Sequence, residues 1–215
     1  MLKLLKKEIL LSMHPTAPVS LILSALVLVP NYPYAVVFFY TTLAVFFTCL
    51  LGRENNDVAY SLTLPIAKKD IVTGRFAFAV TLQLLQILLV VPCMILSRKT
   101  NPAGNLVGMD ANIVLLAEAF LLYGIFNLIF FTRYYKNVAK VGTSFVAATS
   151  VFFLMSAVLE VCTHTVPFVR DRLDTPDPLY ASVKTAVLAG SCILYGLLTA
   201  AAYKKSAAEF DGQDI

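Results

Sequence analysis

The chain has 215 residues, 59% of them hydrophobic and 14% charged, with a formal net charge of +4 and a mean hydropathy of +0.78. Soluble domains carry about 25% charged residues, so this composition excludes a soluble globular fold and predicts an all-α integral membrane protein. The whole chain reads as a single transmembrane domain.

The first fourteen residues, MLKLLKKEILLSMH, predict an amphipathic helix lying in the membrane interface. Leu2, Leu5, Ile9 and Met13 recur at helical spacing, and Lys3, Lys6 and Lys7 can meet lipid phosphates. Pro15 ends it. A plain cytosolic extension of the first span is the alternative. That span, 17–29, is short, with Pro15 and Pro18 at its start and Pro30 and Pro33 at its end. A cleaved signal peptide is the competing reading of this region. No small-residue cleavage site of the A-x-A kind follows, and Asn31 to Tyr34 lead straight into the next span.

Crossing a hydrocarbon core of about 30 Å takes about 20 mostly apolar residues with every backbone group satisfied internally. Segments 34–51, 76–96, 112–131, 142–162 and 182–203 meet that need, which makes six spans with both termini on one side. Lysines and arginines prefer the cytoplasmic side. Twelve flank the side that holds Lys7, Arg53, Arg75, Lys136 and Lys204, against five on the side of Arg98 and Arg170. The termini are therefore expected in the cytosol. The net charge follows from this bias and implies no nucleic-acid partner.

The same count places loop 52–75, GRENNDVAYSLTLPIAKKDIVTGR, inside the cell. Glu54, Asn55, Asn56 and Asp57 offer cap side chains and negative charge at the start of a short helix. Tyr60, Leu62 and Leu64 give it an apolar surface beside Ser61, and Pro65 stops it. A second helix restarts at Ala67 and runs through Arg75 into the third span. A solvated connector that only enforces topology needs none of these signals.

Within the spans Glu118 and Glu160 are the most expensive residues to place, and charges there usually face a cavity or a partner. Both fall in the outer half, where they can line an exit path, reach the headgroups or pair with Arg98, Arg170 or Arg172. Gln83 and Gln86 share a helix face, suited to interhelical hydrogen bonding or to substrate contact. Asn127 lies on the face opposite Glu118. Ser144 with Ala148, and Ser182 with Ala186 and Gly190, allow close helix approach. Tyr180 and Tyr203 fit interfacial anchoring.

No phosphate loop, H-E-x-x-H or G-x-S-x-G occurs, so neither a catalytic residue nor an ATP site is expected in the chain. Cys49, Cys93, Cys162 and Cys192 form no C-x-x-C pair and read as buried small hydrophobes. His14 and His164 fall on opposite sides of the membrane, and no metal site is expected.

Glu54-Asn55-Asn56-Asp57, then Leu62-Thr63-Leu64-Pro65-Ile66, then Lys68-Lys69-Asp70-Ile71-Val72 and Arg75 resemble the loop of small ABC-2-type permeases, the membrane subunits of bacterial ABC exporters. The rest of the resemblance is one of topology and length. It implies a bacterial cytoplasmic membrane location and a coupling helix from Glu54 to Leu64 that docks on a separate ATPase subunit. Asp57, Tyr60, Ser61 and Leu62 would be the main contacts, with Glu54, Leu64 and Pro65 completing the element. Two ATPase copies would bind ATP and magnesium, and a second permease copy, identical or related, would complete the transporter. Segment 163–181 resembles the outer gate of such exporters, and a plain loop fits it equally. The resemblance implies export of an amphipathic peptide, toxin, antimicrobial or lipid-like cargo. The alternatives are an ion-coupled carrier using Glu118 and, last, an intramembrane enzyme for which no catalytic pair is visible.

Overall fold

The computed structural model describes residues 2–212 apart from Leu64 and Ala103, and leaves out the side chains of Leu2 and Lys3. Leu64 of the expected docking surface, and Leu2 and Lys3 of the expected amphipathic pattern, therefore lie outside the described residues. The described chain is helical and contains no strand. Helix α1 (Leu2–Lys7) widens into a π turn (Glu8–Ser12), and α2 (Thr16–Ile22) tightens into a 3₁₀ segment (Leu23–Leu28). Then come α3 (Ala35–Glu54), the short α4 (Asp57–Leu62), α5 (Lys68–Thr100), α6 (Ile113–Lys136), α7 (Val141–Thr165) and α8 (Ala181–Asp211).

Five helices, α3 and α5 to α8, are long and apolar enough to cross a membrane, or six if the bent N-terminal pair counts as one span. The segments Leu4–Ser12 and Thr16–Leu28 meet at 96°, so when one runs along the bilayer normal the other lies in its plane. The 3₁₀ stretch lengthens the second arm, because it rises about 2.0 Å per residue against about 1.5 Å for an α-helix. The arm spans about 22 Å on those rises, short of a full hydrocarbon core.

Helices α3 and α6 form the centre, with 56% and 61% of their apolar windows buried against 17% for α7 and 11% for α8. The most extensive contact joins α6 to α8. Gly124 makes it possible, since a side-chain carbon there would meet Leu198 Cδ1 at 3.0 Å and the Tyr195 backbone at 3.3 Å. A ladder of rings continues down α6: Phe126 stacks on Phe130 at 5.0 Å and Phe130 on Tyr134 at 5.8 Å. Tyr135 meets Phe210 edge-on at 5.3 Å, pinning the last turn of α8.

Of the small-residue pairs, Ser144 and Ala148 are buried, as close packing requires. Ser182, Ala186 and Gly190 instead face outward, and a Cβ at Gly190 would have nothing within 4 Å. The helix-packing role expected for them is not used within the chain. Segment 163–181 holds one short helical run: α7 continues to Thr165, and helical turns from Pro167 lead through a π turn (Val169–Leu173) into an irregular stretch. That stretch is tied to the start of α6 by Asn112, whose Nδ2 donates to the Leu173 carbonyl at 2.9 Å while its Oδ1 caps the helix at Val114 N, 2.8 Å. Lys184, one of the five basic residues counted on the side of Arg98 and Arg170, is fully buried. It pairs with Asp177 at 2.9 Å and donates to the Thr175 carbonyl.

Inside the apolar zone one polar network joins three helices. Gln83 of α5 and Asn127 of α6 exchange two hydrogen bonds of 2.8 and 3.0 Å. From α8, Tyr195 donates to Gln83 Oε1 at 2.8 Å, and Thr199 accepts from Asn127 at 3.2 Å. Gln86, one turn further along α5, is equally buried, yet neither end of its amide has a partner among the described residues. Gln83→Leu should therefore lower stability by about 1–2 kcal/mol, the upper range for polar contacts between membrane helices. Gln86→Leu should be neutral or stabilising, because it removes an unpaired buried amide. Unfolding titrations of the two variants in mixed micelles check the contrast.

Candidate functional site

Four charged side chains converge beneath α4. Arg75, in the second turn of α5, is 2% exposed, as is Glu8 at the start of the π turn. Arg75 Nη1 lies 3.2 Å from Glu8 Oε2 as an ion pair, without the alignment of a hydrogen bond. Its Nη2 donates to Asp57 Oδ2 at 2.7 Å, and Nη1 also reaches the Thr48 carbonyl at 3.4 Å. On the other side of Asp57, Lys7 donates to Oδ1 at 2.8 Å and to Ser61 Oγ at 3.0 Å. Ser12 donates to Oδ2 at 3.3 Å.

Two glycines lie beside these groups. A Cβ at Gly52 would stand 3.2 Å from Arg75 Nη2, and one at Gly74 would stand 3.6 Å from Glu8 Oε1. Asn56 supplies the sharp exit from α3, taking a left-handed φ of 50° that asparagine tolerates better than most residues. The cluster joins α1 and its π turn, the end of α3, α4 and the start of α5.

Several expectations change here. Glu54 is the last residue of α3, not the first of the loop helix, and the N-cap Asn56 makes no side-chain cap bond. Asp57 is turned inward and spent on cations. Lys7, expected at lipid phosphates, is turned inward as well, whereas Lys6 is exposed. The residues named for docking thus divide by face. Asp57 and the buried Ser61 belong to the cluster, while Tyr60 is 63% exposed. Glu54 is exposed beside Arg53 at 3.9 Å, Leu62 is half-buried, and Pro65 lies in the exposed stretch after the helix. The restart at α5 is capped by Asp70, which accepts from Ala67 N at 3.2 Å.

Glu8 and Ser12 were not singled out by sequence reasoning, and Arg75 entered only as the end of the loop motif and a cytosolic charge. A signal existed for Glu8, the only carboxylate among the first 53 residues. Nothing in the sequence pairs it with Arg75, 67 positions away.

Of the residues suggested for a substrate path, Glu118 and Glu160 lie within each other's electrostatic field, while the two glutamines are buried in α5. Gln83 is bound into the three-helix network, and Gln86 is buried without a partner. Glu118 is buried in α6 with Oε1 unpartnered. Glu160 covers Gly108, where a Cβ would come within 3.2 Å of its Oε1. Neither carboxylate meets the arginines offered to it: Arg98 donates to the Asp177 carbonyl, Arg170 pairs with Asp171 at 2.8 Å, and Arg172 sits over the Phe168 and Tyr180 rings. A hollow of about 380 Å³ at that end is lined instead by Tyr34, Arg98, Asn101, Asp110, Asn112 and neighbours.

Burial opposes the Asp57 charge, but the hydrogen bond from Lys7 and the field of Arg75 outweigh it and hold the carboxyl below the usual aspartate range. A lowered carboxylate pKa stabilises the fold in full above its ordinary value, and that contribution is lost as pH falls through the folded value. Asp57→Asn should therefore weaken the protein at neutral pH and flatten its acid unfolding limb. Arg75→Ala should cost about 3–5 kcal/mol, because it strands two carboxylates. Lys7→Ala, at a partly exposed pair, should cost about 1 kcal/mol. Thermal unfolding of the three variants across pH 3–7 checks both the sign and the ranking.

The family model described as ABC-2 family transporter protein matches residues 3–205. No curated protein and no solved structure matches the chain. The match takes in α1, the ion cluster, α4 and nearly all of α8, so the chain belongs to the ABC-2 family of transporter proteins.

Proposed function

We propose that this chain is the permease subunit of an ATP-driven exporter and that α4 is the element on which a separate ATPase subunit acts. The observation that carries this reading is the division of α4 into two faces. One face is anchored through Asp57 and Ser61 to the start of α5 and to α1, and the other presents Tyr60. A push on the exposed face reaches a long helix directly, because the buried ion pairs resist independent movement of α4.

In this reading the end bearing Lys7, Arg53, Lys69 and Lys204 is cytosolic, in keeping with the distribution of basic residues. The N-terminal segment lies along the bacterial cytoplasmic membrane and α2 makes the first of six crossings. Two ATPase subunits supply the ATP and magnesium sites, and a second permease copy, identical or related, faces the first. The cargo is an amphipathic peptide, toxin, antimicrobial or lipid-like molecule moved outward.

A second reading is supported by the buried, unpartnered oxygen of Glu118: an ion-coupled carrier in which that carboxylate binds the driving ion. A collapsed proton gradient would stop such a carrier and leave an ATP-driven exporter running. Tyr60→Arg should reduce capture of a Walker-motif ATPase by about tenfold or more, the effect of removing an aromatic anchor from an interface. It should leave the fold intact, since the Tyr60 side chain is mostly exposed and takes no part in the hydrogen bonds and ion pairs of the cluster. Full ATPase capture and full transport by Tyr60→Arg would sink the docking role; transport lost with Glu118→Gln and with a proton uncoupler would favour the carrier.

A further inference from the structure

A groove of about 440 Å³ runs along the outside of the bundle between α5 and α8. Its walls are Phe76, Ala77 and Val80 on one helix and Gly196 and Ala200 on the other, with Thr73, Tyr203, Tyr195 and Thr199 at its edges. Each of those four hydroxyls is engaged by the protein. Thr73 Oγ1 and the Tyr203 hydroxyl bond each other at 3.0 Å, Tyr195 donates to Gln83, and Thr199 accepts from Asn127. What remains open to the outside is a carbon-lined trough.

At the Tyr203 end the trough continues into a second hollow of about 360 Å³, lined by Lys69, Tyr203, Lys204, Ala207, Ala208 and Asp211. Lys69 and Lys204 are exposed on its rim. The Asp211 carbonyl accepts from Lys68 at 3.3 Å. From Lys69 to Val80 the path follows eleven residues of α5, about 16 Å at the α-helical rise. That is the depth of one leaflet, about half of a 30 Å hydrocarbon core.

We propose that this composite site holds one anionic phospholipid, its phosphate between Lys69 and Lys204 and one acyl chain in the trough. Charge selects the occupant. A zwitterionic lipid fills the trough equally well but leaves the rim lysines without a net anion, and each basic residue near an anionic surface is worth about 1 kcal/mol. The site needs no ATPase partner and stands apart from the exporter reading.

The sequence contains no tryptophan, so Val80→Trp at the deep end of the trough gives a single reporter. In vesicles of phosphatidylcholine, dibrominated phosphatidylglycerol should quench it with an apparent affinity about fivefold or more above that of dibrominated phosphatidylcholine, the contribution of a single lysine. Lys69→Gln with Lys204→Gln should bring the ratio to one. Gly196→Leu should reduce quenching by both lipids, because a Cβ there has nothing within 4 Å and the larger side chain enters the trough without strain. Equal quenching by the two lipids, or a phosphatidylglycerol preference that survives loss of both lysines, overturns the proposal. So does absence of quenching by either lipid, the result expected if a second copy covers the trough. Native mass spectrometry of the unsubstituted chain from mixed phosphatidylglycerol and phosphatidylcholine gives the same decision without the tryptophan: retained phosphatidylglycerol should fall in the double lysine variant, and an unchanged amount overturns the assignment.

Discussion

The burial of Arg75 between Glu8 and Asp57 is the constraint on which this end of the molecule depends. A guanidinium removed from water needs compensating charge close by, and here one carboxylate comes from the N-terminal segment and the other from the α3 to α5 loop. Losing either carboxylate leaves the buried guanidinium with a single counter-ion and part of its desolvation penalty uncompensated. Elements far apart in sequence are thereby committed to one arrangement, with Lys7 closing the cluster from the second side of Asp57. Gly52 is the local condition for that approach, because a Cβ there would press on the Arg75 guanidinium at 3.2 Å, whereas one at Gly74 would meet Glu8 only in ordinary contact.

The polar contacts deeper in the bundle serve a similar purpose with neutral groups. In hydrocarbon there is little hydrophobic drive between helices, so orientation comes from packing and hydrogen bonds. Gln83, Asn127, Tyr195 and Thr199 fix the relative rotation of α5, α6 and α8, and Gly124 sets how closely α6 and α8 approach. The Thr73 to Tyr203 bond and this network brace the two ends of the trough between α5 and α8. The walls are thus held in register by polar bonds while the space between them stays apolar.

Helices α7 and α8 expose most of their apolar windows, and the outward row of Ser182, Ala186 and Gly190 lies on the same side of the division. The centre of the bundle is built from α3 and α6. A transporter subunit arranged this way has a firm interior and a broad apolar perimeter, and the charged junction under α4 lies at one end of both.

Composition and hydropathy determined the membrane class, because a chain this apolar cannot be solvated as a globule; they did not mark the helix ends, since α5 begins eight residues before segment 76–96 and α8 runs eight residues past segment 182–203. The punctuation of 52–75 revealed a short helix and a restart, since turn residues, Pro65 and the Asp70 cap act locally. The sequence could not reveal which way those charges point. Asp57 read as a dipole-complementing cap and Lys7 as a lipid contact, yet both turn inward because Arg75 and Glu8 meet there only after the chain folds. The same holds for Gln83 and Gln86, alike in type and helix face, of which only the first finds partners. Helical periodicity assigns a side chain to a face, but the charge or amide that face will meet is set by which helix packs against it, and that is decided by tertiary structure alone.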